Sequence, residues 1–180
     1  NMFEQAFEYI GLQYTKFKFR QEKDSSQELT KFFSNSRSML LILPIDYEEA
    51  QMAGNSLYPV LRKLNNIDLT IITEGIRSTQ LSEFPRSKVI RISSSHINKF
   101  FLPRQHFIDR IGEETFDLTI DLNLDFVLYA AYICRAAGSN VRIGFSHPSA
   151  DTFYNVQINI DRTKPVQQIY DQLAQYLLMF

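Results

Sequence analysis

The residues of this chain best placed to do chemistry are polar side chains at the ends of apolar runs. Asp121 and Asn123 stand at the end of the run FDLTIDLN, two positions apart, where they can share one face of an extended segment. A carboxylate there can bind a ligand or move a proton, and an amide can orient one. Two readings are open for the pair, because each residue also has the type that caps a following helix. Asp46, just past the run MLLIL and Pro44, is a second carboxylate with the same choice of ligand contact or cap. Thr73 to Gly75, Ser93, Ser94, Ser95 and His96, and Ser146 with His147, complete the set of polar residues at run ends. In an open parallel sheet, ligands gather beyond the carboxyl ends of the strands, which makes Asp121, Asn123, Ser94, His96 and His147 the candidate ligand contacts. His147, close after Gly144, could hold an anion or act as a base.

Other chemistries lack their patterns. Neither GxxxxGK[ST] nor GxGxxG follows the first apolar run, and no GxSxG elbow is present for a serine nucleophile. His96, His106 and His147 are too scattered for a zinc motif, so neither a metal nor a cofactor is expected. Cys134 is the one cysteine, set among apolar neighbours as a small buried hydrophobe would be.

The elements that must position these residues follow from periodicity. The stretch 116–145 reads as one strand, helix and strand: a β-rich run over 116–122, helical apolar spacing over 124–137, a stop at Gly138, and an extended run over 141–145. That unit implies a parallel sheet covered on both faces. Further strands are predicted over 39–43, 67–73, 88–92 and 156–160. Helices are predicted over 2–14, 28–33, 48–64, 76–84, 103–113 and 166–178, with Gly54 and Pro59 breaking or kinking the helix over 48–64. The alternation of aromatic and basic residues in KFKFR, 16–20, suggests a short edge strand. The whole predicts a three-layer α/β/α sandwich with a mainly parallel, Rossmann-like sheet over 36–180, preceded by an extension over 1–35 packed on it.

Composition sets outer bounds. The 180 residues are 44% hydrophobic and 13% aromatic, with a formal charge of -1, so a global basic field for nucleic acid is absent. A single cysteine, no apolar run of membrane-spanning length, and glutamates at 4 and 8 in the first helix predict a cytoplasmic protein without a transmembrane segment.

FDLTIDLN, a helix closing at AAG, VRIGF and the later FYN resemble the amino-terminal domain of glycosyltransferase family 9, the ADP-heptose:lipopolysaccharide heptosyltransferases. Asp121, Leu122 and Asn123 match the family's Asp-Leu-Gln element, Gly138 its turn, and Arg142 to Phe145 its Arg-Ile-Gly-Phe strand. The resemblance implies one half of a two-domain GT-B fold, the acceptor side, with the donor-binding half elsewhere. It departs at the Gly-Asp pair after the first strand, whose aspartate is the family's expected base: Ala53 or Asp46 falls nearest, depending on alignment. Three functions are therefore weighed. One is a non-catalytic acceptor-side relative that binds a sugar, sugar phosphate or other anionic small molecule. The second is a subunit of a split transferase that needs a donor-binding partner, with Asp46 or Asp121 as base. The third is an interaction module or homo-oligomer, marked by a contiguous exposed patch of Phe and Tyr.

Overall fold

The computed structural model describes residues 1–24, 31–64, 66–75 and 78–180. Six strands form one sheet: β1 (Ser38–Ile42), β2 (Asp68–Glu74), β3 (Ser87–Ile92), β4 (Leu118–Asp121), β5 (Val141–Phe145) and β6 (Val156–Ile158). Their order is β3-β2-β1-β4-β5-β6, and every neighbouring pair is parallel. The chain thus starts in the middle, builds outward to one edge, returns, and builds to the other. That reversal lies between β1 and β4, where Met39 pairs with Leu118 and Ile42 with Asp121.

Apolar β-branched runs form these strands because both faces are covered. Alternate side chains of β1 go to opposite cores: Met39 and Leu41 to one, Leu40 and Ile42 to the other. The first core is closed by helices α3 (Tyr47–Leu61) and α6 (Val166–Leu177) through Leu57, Leu61, Ile169 and Leu173. The second is closed by α4 (Gln105–Ile111) and α5 (Leu128–Ala136), with Phe107, Leu128 and Ile133. This is the three-layer sandwich, with a sheet that is parallel throughout.

The amino-terminal segment packs on the second core. Helix α1 (Met2–Phe19) buries Gly11, Thr15 and Phe19, and Phe19 lies 5.5 Å from the ring of Tyr132 on α5. Gly11 permits this approach: a Cβ there would stand 2.1 Å from the Phe100 carbonyl oxygen. Beyond the helix, Asp24 accepts hydrogen bonds from the buried guanidiniums of Arg135 (3.2 Å) and Arg142 (2.7 Å).

Four expectations change. The edge strand over 16–20 is instead the last part of α1, since Phe19 is buried and Phe17 is exposed, the outcome of a 100° rather than a 180° step. The helix expected from 124 begins at Leu128, and the Leu124 carbonyl that an earlier helix would use accepts instead from Arg162 (2.9 Å). Pro103 does not open α4; it bridges Ile97, and the helix starts at Gln105. Between β2 and β3 the described chain carries a short 3-10 turn, Gln80–Glu83, not a longer helix, and the beginning of the 76–84 expectation lies outside the described residues. The first half of the 28–33 expectation, 28–30, lies outside them too, and its end overlaps one helical turn, α2 (Phe32–Asn35). Pro59 sits in the last turn of α3, which ends two residues later.

Candidate functional site

The reversal of strand order opens a crevice beyond the carboxyl ends of β1 and β4, and the sequence there builds its walls in short steps. Pro44 ends the β1 run, and Asp46 caps α3, its Oδ1 accepting from the Glu49 amide at 2.9 Å. That cap turns Glu49, one turn into the helix, toward the crevice. On the other wall Asn123 reaches across: its Oδ1 accepts from the Ile45 amide at 3.0 Å, so one side chain ties the loop after β1 to the loop after β4. The cleft between them has a volume of about 600 Å³ and is lined by Ile45, Asp46, Tyr47, Glu49, Asn123, Asp125 and Val127.

Asp121 lies behind this wall. It is 2% exposed, and its carboxylate is occupied on both oxygens. Oδ1 accepts from the Asn123 amide (3.1 Å) and Nδ2 (2.8 Å), and Oδ2 accepts from Tyr154 Oη (2.7 Å). Burial raises its pKa above the ordinary carboxylate range, while the bonds from Tyr154 and Asn123 pull the other way. Neither Asp121 nor Asn123 caps the following helix, whose N-cap position is Val127. Asp121 instead fixes the Asn123 amide, with Asn123 itself 8% exposed at the cleft.

Three side chains from distant parts of the chain lock this strand end. Tyr154 comes from beyond β5, and only glycine at 144 lets its ring lie on the strand, since a Cβ there would be 2.4 Å from the ring. Tyr170 comes from α6 to the Leu122 carbonyl. Arg162 donates to the Leu124 carbonyl (2.9 Å) and to Asp125 Oδ1 (2.8 Å). The cleft is net acidic: burial first, then Asp46 and Asp125, raise the pKa of Glu49, with Arg162 opposing.

The other sequence candidates are dispersed. His147, beyond β5, stacks on Phe126 at 4.6 Å and lines a neighbouring cavity of about 450 Å³ with Glu8, Tyr9 and Arg162. Its Nδ1 accepts from the Ser149 amide (3.1 Å), and burial with Arg162 lowers its pKa. Ser94 and His96 stand beyond β3 at the sheet edge, two strands from the crevice, where His96 Nδ1 accepts from the Ser93 amide at 3.0 Å. Among the described residues no group of three metal-ligating side chains gathers. No helix among them is long and apolar enough to cross a membrane.

The sequence reading did not find Glu49, Asp125, Arg162, Tyr154 or Tyr170. Two signals were present. Asp46-x-x-Glu49 has capping-box spacing, which sets the helix start and the direction of Glu49, and the glycine in VRIGF marks a close approach by another group.

Solved structures share this architecture. The chain is similar to Escherichia coli heptosyltransferase WaaC with ADP, at a TM-score of 0.61 and 16% identity over 79% of this chain and 47% of that one. It is likewise similar to E. coli ADP-heptose lps heptosyltransferase II, with a TM-score of 0.58, 19% identity and coverage of 76% and 40%. A glycosyl transferase family 9 structure from Veillonella parvula aligns at a TM-score of 0.56 and 16% identity, covering 80% and 42%. At these identities the likeness is one of fold, and the chain spans about half the length of these proteins or less. No curated protein matches the sequence. The pattern that does match runs over residues 8–180, and by it the chain belongs to the family described as "Family of unknown function (DUF6913)".

Proposed function

We propose that the crevice between β1 and β4 binds a neutral, hydroxyl-rich ligand, a sugar, and that this chain is an acceptor-side relative of the heptosyltransferase fold that does not transfer a glycosyl group by itself. The observation that carries the reading is the cleft's lining. Asp46, Glu49 and Asp125 supply carboxylate acceptors suited to sugar hydroxyls, Ile45 and Val127 supply apolar surface, and Asn123 fixes the two walls. The same charge disfavours the anionic ligands that the sequence left open, because a phosphate would meet three carboxylates and one guanidinium already bonded to Asp125.

The non-catalytic part rests on the two positions where a base was sought. Ala53 is fully buried in the α3 core, and Asp46 spends an oxygen capping α3. Asp121 is enclosed and acts as a positioning residue for Asn123.

The test is binding of free hexoses, heptoses, sugar phosphates and nucleotide-sugars by isothermal calorimetry, with Glu49→Gln as the variant, since Glu49 is half-buried and its side chain holds no hydrogen bond or ion pair among the described residues. A neutral sugar should bind, more tightly as pH rises and Glu49 ionises. Glu49→Gln should weaken binding by roughly 5- to 20-fold, the worth of one charge-assisted hydrogen bond, and remove the pH dependence. Binding of sugar phosphates in preference to the sugars would overturn the reading, as would affinity unchanged in Glu49→Gln. Turnover of a nucleotide-sugar by the chain alone, lost in Asp46→Asn, would overturn the non-catalytic assignment.

A further inference from the structure

Helix α1 carries two apolar faces, and its own fold uses one. Gly11, Thr15 and Phe19 are turned to the core. Phe3, Phe7, Ile10, Tyr14 and Phe17 form the other, at intervals of four, three, four and three residues, the spacing of a coiled-coil seam. Phe7 leans on Phe100 at 5.8 Å, but Phe3 is 69% exposed, Ile10 50%, Tyr14 54% and Phe17 63%. Beside the seam a groove of about 410 Å³ runs between Ile10, Tyr14 and Lys18 on the helix and Phe100, Leu102 and Pro103 on the facing loop. A row of large apolar side chains next to a groove offers both knobs and holes to an incoming helix. This is also the contiguous Phe and Tyr patch by which an interaction surface is recognised.

The charges of the helix say which helix fits. Its first half carries Glu4 and Glu8, and its end carries Lys16, Lys18 and Arg20. Glu4 and Lys18 are two heptads apart and flank the seam on one side. A parallel pair of such helices would set like charges against each other, whereas an antiparallel pair sets Glu4 of each protomer beside Lys18 of the other. The antiparallel arrangement is the one a two-fold axis across the helix generates, with the same patch used twice.

We propose that α1 is a homodimerisation helix: two copies of this chain pair antiparallel through the Phe3, Ile10, Tyr14 and Phe17 seam, with the two-fold axis near Ile10. The inference is independent of what the β1–β4 crevice binds.

The test is sedimentation equilibrium of the full chain from micromolar to about 100 μM, at low and at 0.5 M salt. A species of twice the 21.0 kDa chain mass is expected, weakened by salt as exposed charge pairs are screened. Ile10→Glu with Tyr14→Glu should give a monomer whose thermal unfolding stays cooperative, because both side chains are exposed in the protomer. Glu4→Lys alone and Lys18→Glu alone should each weaken the dimer several-fold, and the two together should restore it. Tyr132, whose hydroxyl now accepts from Lys18, can donate to the glutamate, so that variant keeps its partner on the core. A monomer at 100 μM in low salt overturns the proposal. A dimer indifferent to the Ile10 and Tyr14 changes overturns it as well, and failure of the charge swap to restore pairing overturns the antiparallel arrangement.

Discussion

Asp121 shows how one residue can shape a site without entering it. Its carboxylate is enclosed, held by Tyr154 and Asn123, and its pKa is raised chiefly by burial. An acid with a folded pKa above its unfolded value binds its proton more tightly in the native state. Its contribution to stability is complete below the ordinary carboxylate range and is lost as pH rises through the folded value. Asp121→Asn removes that titration and keeps the geometry, since the amide oxygen can face Asn123 and the amide nitrogen can donate to Tyr154 Oη. Urea unfolding at a series of pH values should show a flatter profile for the variant, with neutral-pH stability equal to or above that of the parent. A slope identical in both proteins would dismiss Asp121 as the titrating group. Gly144 works at the same scale by absence. Its missing side chain is the space that the Tyr154 ring fills, and a Cβ would come within 2.4 Å of it. Gly144→Ala should therefore cost about 1–3 kcal/mol as overpacking, seen as a lower urea midpoint with unchanged m-value.

Elements are held in place by contacts the sequence separates widely, and Asp24 is the clearest of them. It stands beyond α1 and takes hydrogen bonds from Arg135 at the end of α5 and Arg142 in β5, more than a hundred positions away. Asp24→Ala would leave buried Arg142 without its carboxylate and Arg135 with only Glu22, whose carboxylate stands 3.6 Å away. The loss should be about 1–3 kcal/mol, below the range for a fully buried pair because Asp24 is itself partly exposed. Hydrogen exchange locates the effect: amides of α1 should exchange faster while those of β1 and β4 keep their protection, and uniform acceleration would show that the clip serves the whole fold instead. The same separation explains what could be read beforehand. β4, α5 and β5 were legible because each is marked locally, by β-branched runs and by Gly138, whose φ of 73° a glycine accommodates. Asp46 and Asn123 were legible as polar residues at strand ends, but their meeting in one crevice was not, because it depends on the strand order that places β1 beside β4. The late start of α5 was not, because it goes with Arg162 taking the Leu124 carbonyl from afar. The ending of α1 was misread because two aromatics two positions apart fit a five-residue strand as well as a helix until one of them finds Tyr132.

Across the whole molecule the titrating groups pull stability in opposite directions, and their balance is measurable. His96 and His147 have lowered pKa values, each chiefly through burial, with His106 and Arg110 acting on the first and Arg162 on the second. A base held below its unfolded value of 6.5 supports the native state above that pH, and the support is lost as pH falls through the folded value. Glu49 and Asp121 act with the reverse sign, since their raised values make acidification favourable from the folded value down to the ordinary carboxylate range. The two pairs act with opposite signs between the ordinary carboxylate and imidazole values, about pH 4.5 to 6.5. Below that window Glu114, whose pKa is lowered mainly by its bond from Lys88, adds a loss of its own as it is protonated. In the parent protein the unfolding free energy between those values should therefore carry two opposed contributions, and below them it should fall. Relative to the parent, His96→Gln with His147→Gln should tilt this part of the profile so that stability rises toward acid, and Glu49→Gln with Asp121→Asn should tilt it the other way. Chemical unfolding of the three proteins across that window distinguishes a cancellation from an absence of titration: if neither variant tilts the profile, the native environments of these four groups do not differ from the unfolded chain in the way their burial requires.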